Sequence, residues 1–355
     1  MSVLTTDAFD GARRAAVPAR RVHHGVEVHT VPNLSNRLAY RQQLFLPRGA
    51  ARALDAVQEA APIDLLHLHG HRHLLNTAAA DWAWRHGRPW ALTSNGTLAR
   101  HERKVGVKLV WDALFAARVP ARAAACIAVS AADEAVHRAC GVPAARVARI
   151  PNGLDLAEFA PLPPRGTFRA AHGLGGGPVV AYLGQVSPRK GVDHLVRAFA
   201  GGGPHGSRLV VAGNDMGGLE KARAEAGDAV RFVGLLEGPA RLALLADADV
   251  LVYASRDEIF GLVPFEGLLC GAPVVVADDC GCGELIAEAG AGLLVRHGDT
   301  AGLRDRIATL LADRQAAAAM VARGRRYIHE RLAFDRVAAM HLALYERILD
   351  GRGPR

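Results

Sequence analysis

Short runs of β-branched and other apolar residues recur along the whole chain, each separated from the next by a stretch with helical spacing. In the first half the runs are Val26–Thr30, Ile63–His69, Trp90–Thr93, Cys126–Val129 and Val147–Ile150. In the second they are Val179–Gly184, Arg208–Gly213, Val230–Val233, Val250–Tyr253, Val274–Ala277 and Gly292–Val295. Several, such as Leu209-Val210-Val211 and Val274-Val275-Val276, lack polar alternation, the pattern of parallel strands covered on both faces. Between them, Val192, Leu195, Val196 and Phe199 fall at i, i+3, i+4 and i+7, one face of a helix. Strand–helix alternation throughout predicts an α/β protein with doubly wound parallel sheets.

At 355 residues the chain is long enough for two such units. The pattern breaks at Pro161-Leu162-Pro163-Pro164-Arg165-Gly166 and again at Gly173–Pro178, where proline and glycine stop both helices and central strands. This predicts a first domain over 1–160, a linker over 161–177 and a second domain over 178–334. In open parallel sheets ligands bind beyond the carboxyl ends of the strands, so the expected site is a cleft between two facing units.

Composition excludes several classes. Half the residues are apolar and 22% charged, which is globular and not disordered. The five cysteines are odd in number and sparse, as in a reduced, cytoplasmic chain rather than a disulfide-stapled one. Neither a spanning apolar stretch nor a signal peptide is evident. Residues 1–160 hold 20 basic and 13 acidic side chains and so carry nearly all of the net charge of +8. A basic first half fits an acidic ligand or an anionic membrane surface. The stretch from Arg100 to Phe115, with Arg103, Lys104 and Lys108 among Val107, Leu109, Val110, Trp111 and Leu114, fits peripheral contact with the inner face of a membrane, or an ordinary packed helix. No aromatic–basic interleaving points to nucleic acid.

Two loops carry the chemistry. In Tyr182-Leu183-Gly184-Gln185-Val186-Ser187-Pro188-Arg189-Lys190-Gly191 a strand ends at Gly184, a polar loop follows, and a helix begins at Val192. Lys190 stands at the helix start, placed to neutralise a phosphate as a point charge. In Asp257-Glu258-Ile259-Phe260-Gly261-Leu262-Val263-Pro264-Phe265-Glu266, Pro264 marks a first helical turn. That puts Glu258 in a loop, Glu266 in the first turn, and the Gly261 and Leu262 amides at the helix N-terminus. Two carboxylates beside an anion site suit sugar hydroxyls, which donate hydrogen bonds. A paired-carboxylate hydrolase is the rival reading.

These residues, Gly184, Lys190-Gly191 and Glu258-x7-Glu266 with Phe260-Gly261-Leu262 inside, resemble glycosyltransferase family 4, a retaining family of the GT-B fold. Asp64-Leu65-Leu66-His67-Leu68-His69, Ile127-Ala128-Val129-Ser130, Pro151-Asn152-Gly153-Leu154-Asp155 and the stretch from Tyr327 to Leu349 resemble its other landmarks. The resemblance implies two Rossmann-like domains, with a last helix (335–355) returning to the first. It implies transfer of a sugar from a nucleotide-diphosphate-sugar to a glycan, lipid-linked or small-molecule hydroxyl, without metal or cofactor. It implies that Lys190, Gln185 and Arg189 hold the donor diphosphate and that Glu266 accepts from the ribose. Gly184 lets the loop approach the donor, and Glu258, Phe260, Gly261 and Leu262 position its sugar.

The chain departs from that pattern in three places. Gln185 stands where the family has Arg, removing a charge from the leaving diphosphate. Asn95-Gly96 replaces a His-Gly pair near the transferred sugar, so Asn95 is able to hydrogen-bond but not to titrate. Val3–Asp7 resembles the family's second strand, so a first strand, glycine-rich loop and helix are expected upstream. The alternative to an active transferase is therefore a nucleotide-sugar-binding pseudoenzyme or truncated inactive homologue; a phosphorylase or epimerase is a third. His67, His69, His71 and His73 read as polar residues at a strand end, and Cys280-Gly281-Cys282-Gly283 as a glycine turn beside the donor site.

Overall fold

The computed structural model describes residues 1–10, 13–42, 44–98 and 117–351. The basic stretch from Arg100 to Phe115 lies outside the described residues. The chain divides into two compact units, one made of Met1–Val129, Asp133–Ile150 and Met340–Arg355, the other of Ser130–Ala132 and Pro151–Ala339.

In the first unit, β1 (Ser2–Thr6) runs parallel to β3 (Val26–Val31), and β2 (Arg20–His23) pairs antiparallel with β3. A two-residue turn at His24 and Gly25, both at positive φ, closes the β2–β3 hairpin. The strands β4 (Leu66–His69), β5 (Trp90–Thr93), β6 (Ala125–Ala128) and β7 (Val147–Arg149) form a separate all-parallel sheet in that order. The four-stranded sheet has the expected parallel, Rossmann-like form. Among the described residues one pair, β2–β3, is antiparallel, and β1 and β4 share no ladder. The core joins Leu66, Leu68, Trp90, Leu92 and Cys126 of the four-stranded sheet to Trp82 and Ala83 of the helix Leu74–Arg85.

The second unit holds β8 (Val179–Leu183), β9 (Arg208–Ala212), β10 (Val230–Gly234), β11 (Val250–Tyr253), β12 (Val274–Ala277) and β13 (Gly292–Val295). All are parallel, in the order β10-β9-β8-β11-β12-β13. Counted from β8 this is the 3-2-1-4-5-6 order of a dinucleotide-binding sheet. Every side chain of β8, β11 and β12 is buried, as their unbroken apolar runs require. Each Val or Leu so covered contributes about 1.5–3 kcal/mol to folding. Chain order reverses between β8 and β11, so the loops after these two strands flank the sheet's topological switch point.

The division at Ile150–Pro151 precedes the proline-rich stretch because Leu154 already bonds to the second unit: its N–H donates to Leu332 O at 2.8 Å, and Phe334 N–H donates to Leu154 O at 2.9 Å. The 161–177 segment is more than a linker. It contains the helix Thr167–His172, whose Arg169 N–H donates to the buried Asp247 at 2.9 Å and whose Arg169 guanidinium pairs with Asp249.

Candidate active site

The loop after β8 crosses from Gly184 to a short turn, Pro188–Lys190. Tyr182, buried under it, donates its hydroxyl to Gln185 O at 2.7 Å. The turn is tied to the loop after β11 by Arg256 N–H donating to Arg189 O at 2.9 Å. Gly191 follows at φ +67°, and a Cβ there would lie 2.6 Å from Ala254 O. Only glycine lets the two loops come this close.

This approach buries Lys190 to 9% exposure. Its Nζ donates to Tyr253 Oη at 2.8 Å and forms an ion pair with Glu258 Oε2. The same oxygen accepts from Tyr253 Oη at 3.0 Å and Ser255 Oγ at 3.3 Å. These bonds converge on Oε2, and Oε1 makes none of them. Burial acts to raise the Glu258 carboxyl, but Lys190, Tyr253 and the charge of Arg189 outweigh it and hold the group below the usual carboxylate range. Burial, with Glu258 beside it, pushes the Tyr253 phenol up, so it stays a neutral donor.

Gly261, at φ +80°, continues the second loop. A Cβ there would meet Cys282 Sγ and Tyr253 Cε1 at 3.0 Å and Glu258 Cγ at 3.3 Å. Phe260 is buried against Phe265, their ring centroids 5.7 Å apart. Leu262 is partly exposed and caps the helix Val263–Cys270; its carbonyl accepts from Phe265 N–H at 3.0 Å and Glu266 N–H at 3.1 Å. The first amides of such a helix have no intrahelical acceptor and are available to an anion.

Glu266 occupies the first turn, as its spacing from Pro264 predicts. Its ion-pair partner is Arg241, from the helix Gly238–Asp247, with Nη1 2.6 Å from Glu266 Oε2. Burial raises the Glu266 carboxyl and Arg241 offsets only part of that. The loops after β8 and β11 therefore bring Lys190, Arg189 and Glu258 together, while Glu266 has a cation of its own. Gln185 is exposed. Asn95 belongs to the first unit, exposed at φ +48° in a turn that Thr97 pins by donating both N–H and Oγ1 to Ser94 O.

Arg241, Tyr253 and Ser255 were not legible as site residues. Tyr253 reads as the last residue of an apolar strand, and Arg241 lies on a helix with no motif. The Cys280–Gly283 stretch is corrected from a turn to a helix start: Cys280 caps the helix Gly281–Ala289, its sulfur accepting from Gly283 N–H at 3.3 Å. A Cβ at Gly281 would lie 2.0 Å from Ile259 O, so Gly281 serves close packing under the loop after β11. The histidines divide. His67 and His69 have ring centroids 4.2 Å apart, and His67 bonds to Tyr345 Oη at 2.5 Å and Thr93 Oγ1 at 2.7 Å. Burial lowers the His67 imidazole to about 3. All five cysteines are free.

The chain is thus a two-unit, Rossmann-like protein whose second sheet carries charged loops at its switch point. Residues 2–158 match the model for "Glycosyltransferase Family 4" and residues 164–327 that for "Glycosyl transferases group 1". The chain is 30% identical over 319 residues to a GDP-mannose-dependent alpha-mannosyltransferase of Mycobacterium tuberculosis (strain CDC 1551 / Oshkosh), covering 88% of this chain and 80% of that protein. It is 35% identical over 187 residues to a D-inositol 3-phosphate glycosyltransferase of Nocardia farcinica, covering 48% of this chain and 40% of that one. Among solved structures, sucrose-phosphate synthase from Thermosynechococcus elongatus shares the fold at a TM-score of 0.74 and 23% identity, over 99% of this chain and 89% of that one. Anabaena HepE in complex with UDP-glucose shares it at 0.70 and 22%, over 90% and 87%. The chain belongs to glycosyltransferase family 4.

Proposed function

We propose that the protein moves a sugar, with retention of anomeric configuration, from a nucleotide-diphosphate-sugar bound by its second unit to a hydroxyl acceptor. The observation that carries this reading is the meeting, at the switch point of the second sheet, of the Lys190 ammonium with the Glu258 carboxylate beside the Gly261–Leu262 amides. An ammonium has three donors. Tyr253 and Glu258 take two, and the third serves the donor diphosphate, with Arg189 and the free amides adding positive field. The Oε1 atoms of Glu258 and Glu266 accept from sugar and ribose hydroxyls respectively, while Oε2 of each is held by a protein cation.

In this reading charge on the departing diphosphate is stabilised by the protein's own cations and amides, with no metal or cofactor required. The acceptor oxygen attacks on the face the diphosphate leaves. The relatives named for GDP-mannose and D-inositol 3-phosphate make a glycan, lipid-linked or small polyol acceptor the first to try. The basic first unit suits an acceptor at an anionic membrane surface, and no described helix is long and apolar enough to cross one.

The test is to incubate the protein with GDP-mannose or UDP-glucose and a panel of polyol, glycan and lipid-linked acceptors. Acceptor-dependent release of nucleoside diphosphate is expected, abolished in K190A, with the product's anomeric proton matching the donor's by NMR. An inverted product would remove the retaining mechanism. Gln185 motivates a second reading, a protein that binds the donor without transferring it. That reading is the one left standing if donor binds and nothing is released.

A further inference from the structure

Arg241 has no place in the motifs, yet its guanidinium is held on three sides. Nη1 lies 2.6 Å from Glu266 Oε2, Nη2 3.4 Å from Glu158 Oε2, and the guanidinium carbon 5.8 Å from the Phe159 ring centroid. Arg241 and Glu266 are largely buried, whereas Glu158 is mostly exposed. The exposed pair is screened by water, so the contact that matters energetically is the one with Glu266. Among the described residues, Cys270 on the same helix feels the charge of Glu266, and Arg325 of the helix Arg314–Tyr327 donates to Leu268 O at 3.0 Å and Leu269 O at 2.9 Å. Neither replaces Arg241 as a direct partner of the carboxylate.

We propose that Arg241 is the positioning residue for Glu266: its guanidinium holds Oε2, so that Oε1 is left to accept from the donor nucleoside. The inference rests on the reading that Glu266 binds the donor. Removing Arg241 leaves a carboxylate that burial already biases toward the neutral form, and a neutral carboxyl is a poorer acceptor. A nearby opposite charge commonly moves a carboxyl by about 1–3 pH units, which sets the size of the effect.

The test titrates UDP-glucose and GDP-mannose calorimetrically into wild type, R241Q, R241K, E158Q and E266Q from pH 5 to pH 8. Both donors keep fully ionised diphosphates in this range, so any pH dependence belongs to the protein. In R241Q the acid-side loss of affinity is expected to begin about one pH unit or more above that of wild type. R241K, which retains a cation, and E158Q, which loses only the exposed partner, should follow wild type. An R241Q profile superimposed on wild type, while E266Q binds about tenfold more weakly or worse, overturns the inference and leaves the donor-site reading intact. E266Q binding as wild type overturns that reading itself. If R241Q fails to fold, R241K decides: a wild-type profile supports the role of charge, and a displaced one contradicts it.

Discussion

Breaking the Lys190–Glu258 pair in K190M measures what holds the candidate site together. The two side chains are 11% and 18% exposed, so water does little to screen them. Removing one partner of such a pair strands the other charge, at a typical cost of about 3–5 kcal/mol. The lower end applies here, because Tyr253 and Ser255 still donate to Oε2. About 3 kcal/mol in a unit of this size lowers its melting temperature by roughly 6–12 °C. Scanning calorimetry follows both units. Tryptophan fluorescence reports the first alone, since Trp82, Trp84, Trp90 and Trp111 all fall within residues 1–129. Only the calorimetric transition of the second unit should move, and the double variant K190M/E258Q should regain most of the loss. The pH response should also weaken. In wild type the lowered carboxyl of Glu258 contributes stability at neutral pH that is lost as pH falls through its folded-state pKa. In K190M only Tyr253, Ser255 and the charge of Arg189 still oppose burial, so the carboxyl moves up and this acid-side loss shrinks. An unchanged transition, or a double variant showing the sum of the single losses, would refute the reasoning.

Three further outcomes are expected. G191A forces a Cβ to 2.6 Å from Ala254 O at positive φ, so it should destabilise the second unit by more than about 1 kcal/mol and weaken donor binding; equal affinity by calorimetry would contradict the close approach of the two loops. His67 is neutral in the fold, its imidazole lowered to about 3, so its contribution declines as pH falls below the ordinary value of 6.5, by up to about 1.4 kcal/mol per pH unit. His137, lowered to about 4, and Asp133, raised to about 6, oppose each other over most of that range. The stability gap between wild type and H67Q, read by tryptophan fluorescence, should therefore narrow from pH 7.5 to pH 5, and a constant gap would count against it. Q185R should raise turnover with UDP-glucose or GDP-mannose about tenfold by returning a cation to the diphosphate, with little change in the melting temperature; unchanged turnover would mean that Lys190 and the amides already suffice.

The second unit was legible because its central strands β8, β11 and β12 are unbroken apolar runs, and parallel strands buried on both faces write that pattern directly. Pro264 likewise fixes Glu266 in a first helical turn from the sequence alone. The hairpin was not legible. Arg20–His23 is short and mostly polar, and its turn uses His24-Gly25 where Asn-Gly would have announced it. The helix inside 161–177 was hidden because its partners, Asp247 and Asp249, lie far away in sequence. The partners of the site residues were hidden for the same reason. Nothing in the local sequence says that Lys190 meets Tyr253 or that Arg241 meets Glu266; those pairings come from strand order, which places β8 beside β11, and from helix packing.

Backbone hydrogen exchange with and without UDP-glucose and GDP-mannose probes the proposed donor site most directly. Slowed exchange is predicted in two segments, 184–191 and 258–266, with either or both donors, and its loss in K190A. Protection that falls elsewhere in the chain, or that persists unchanged in K190A, would contradict the assignment of these loops to the nucleotide-sugar.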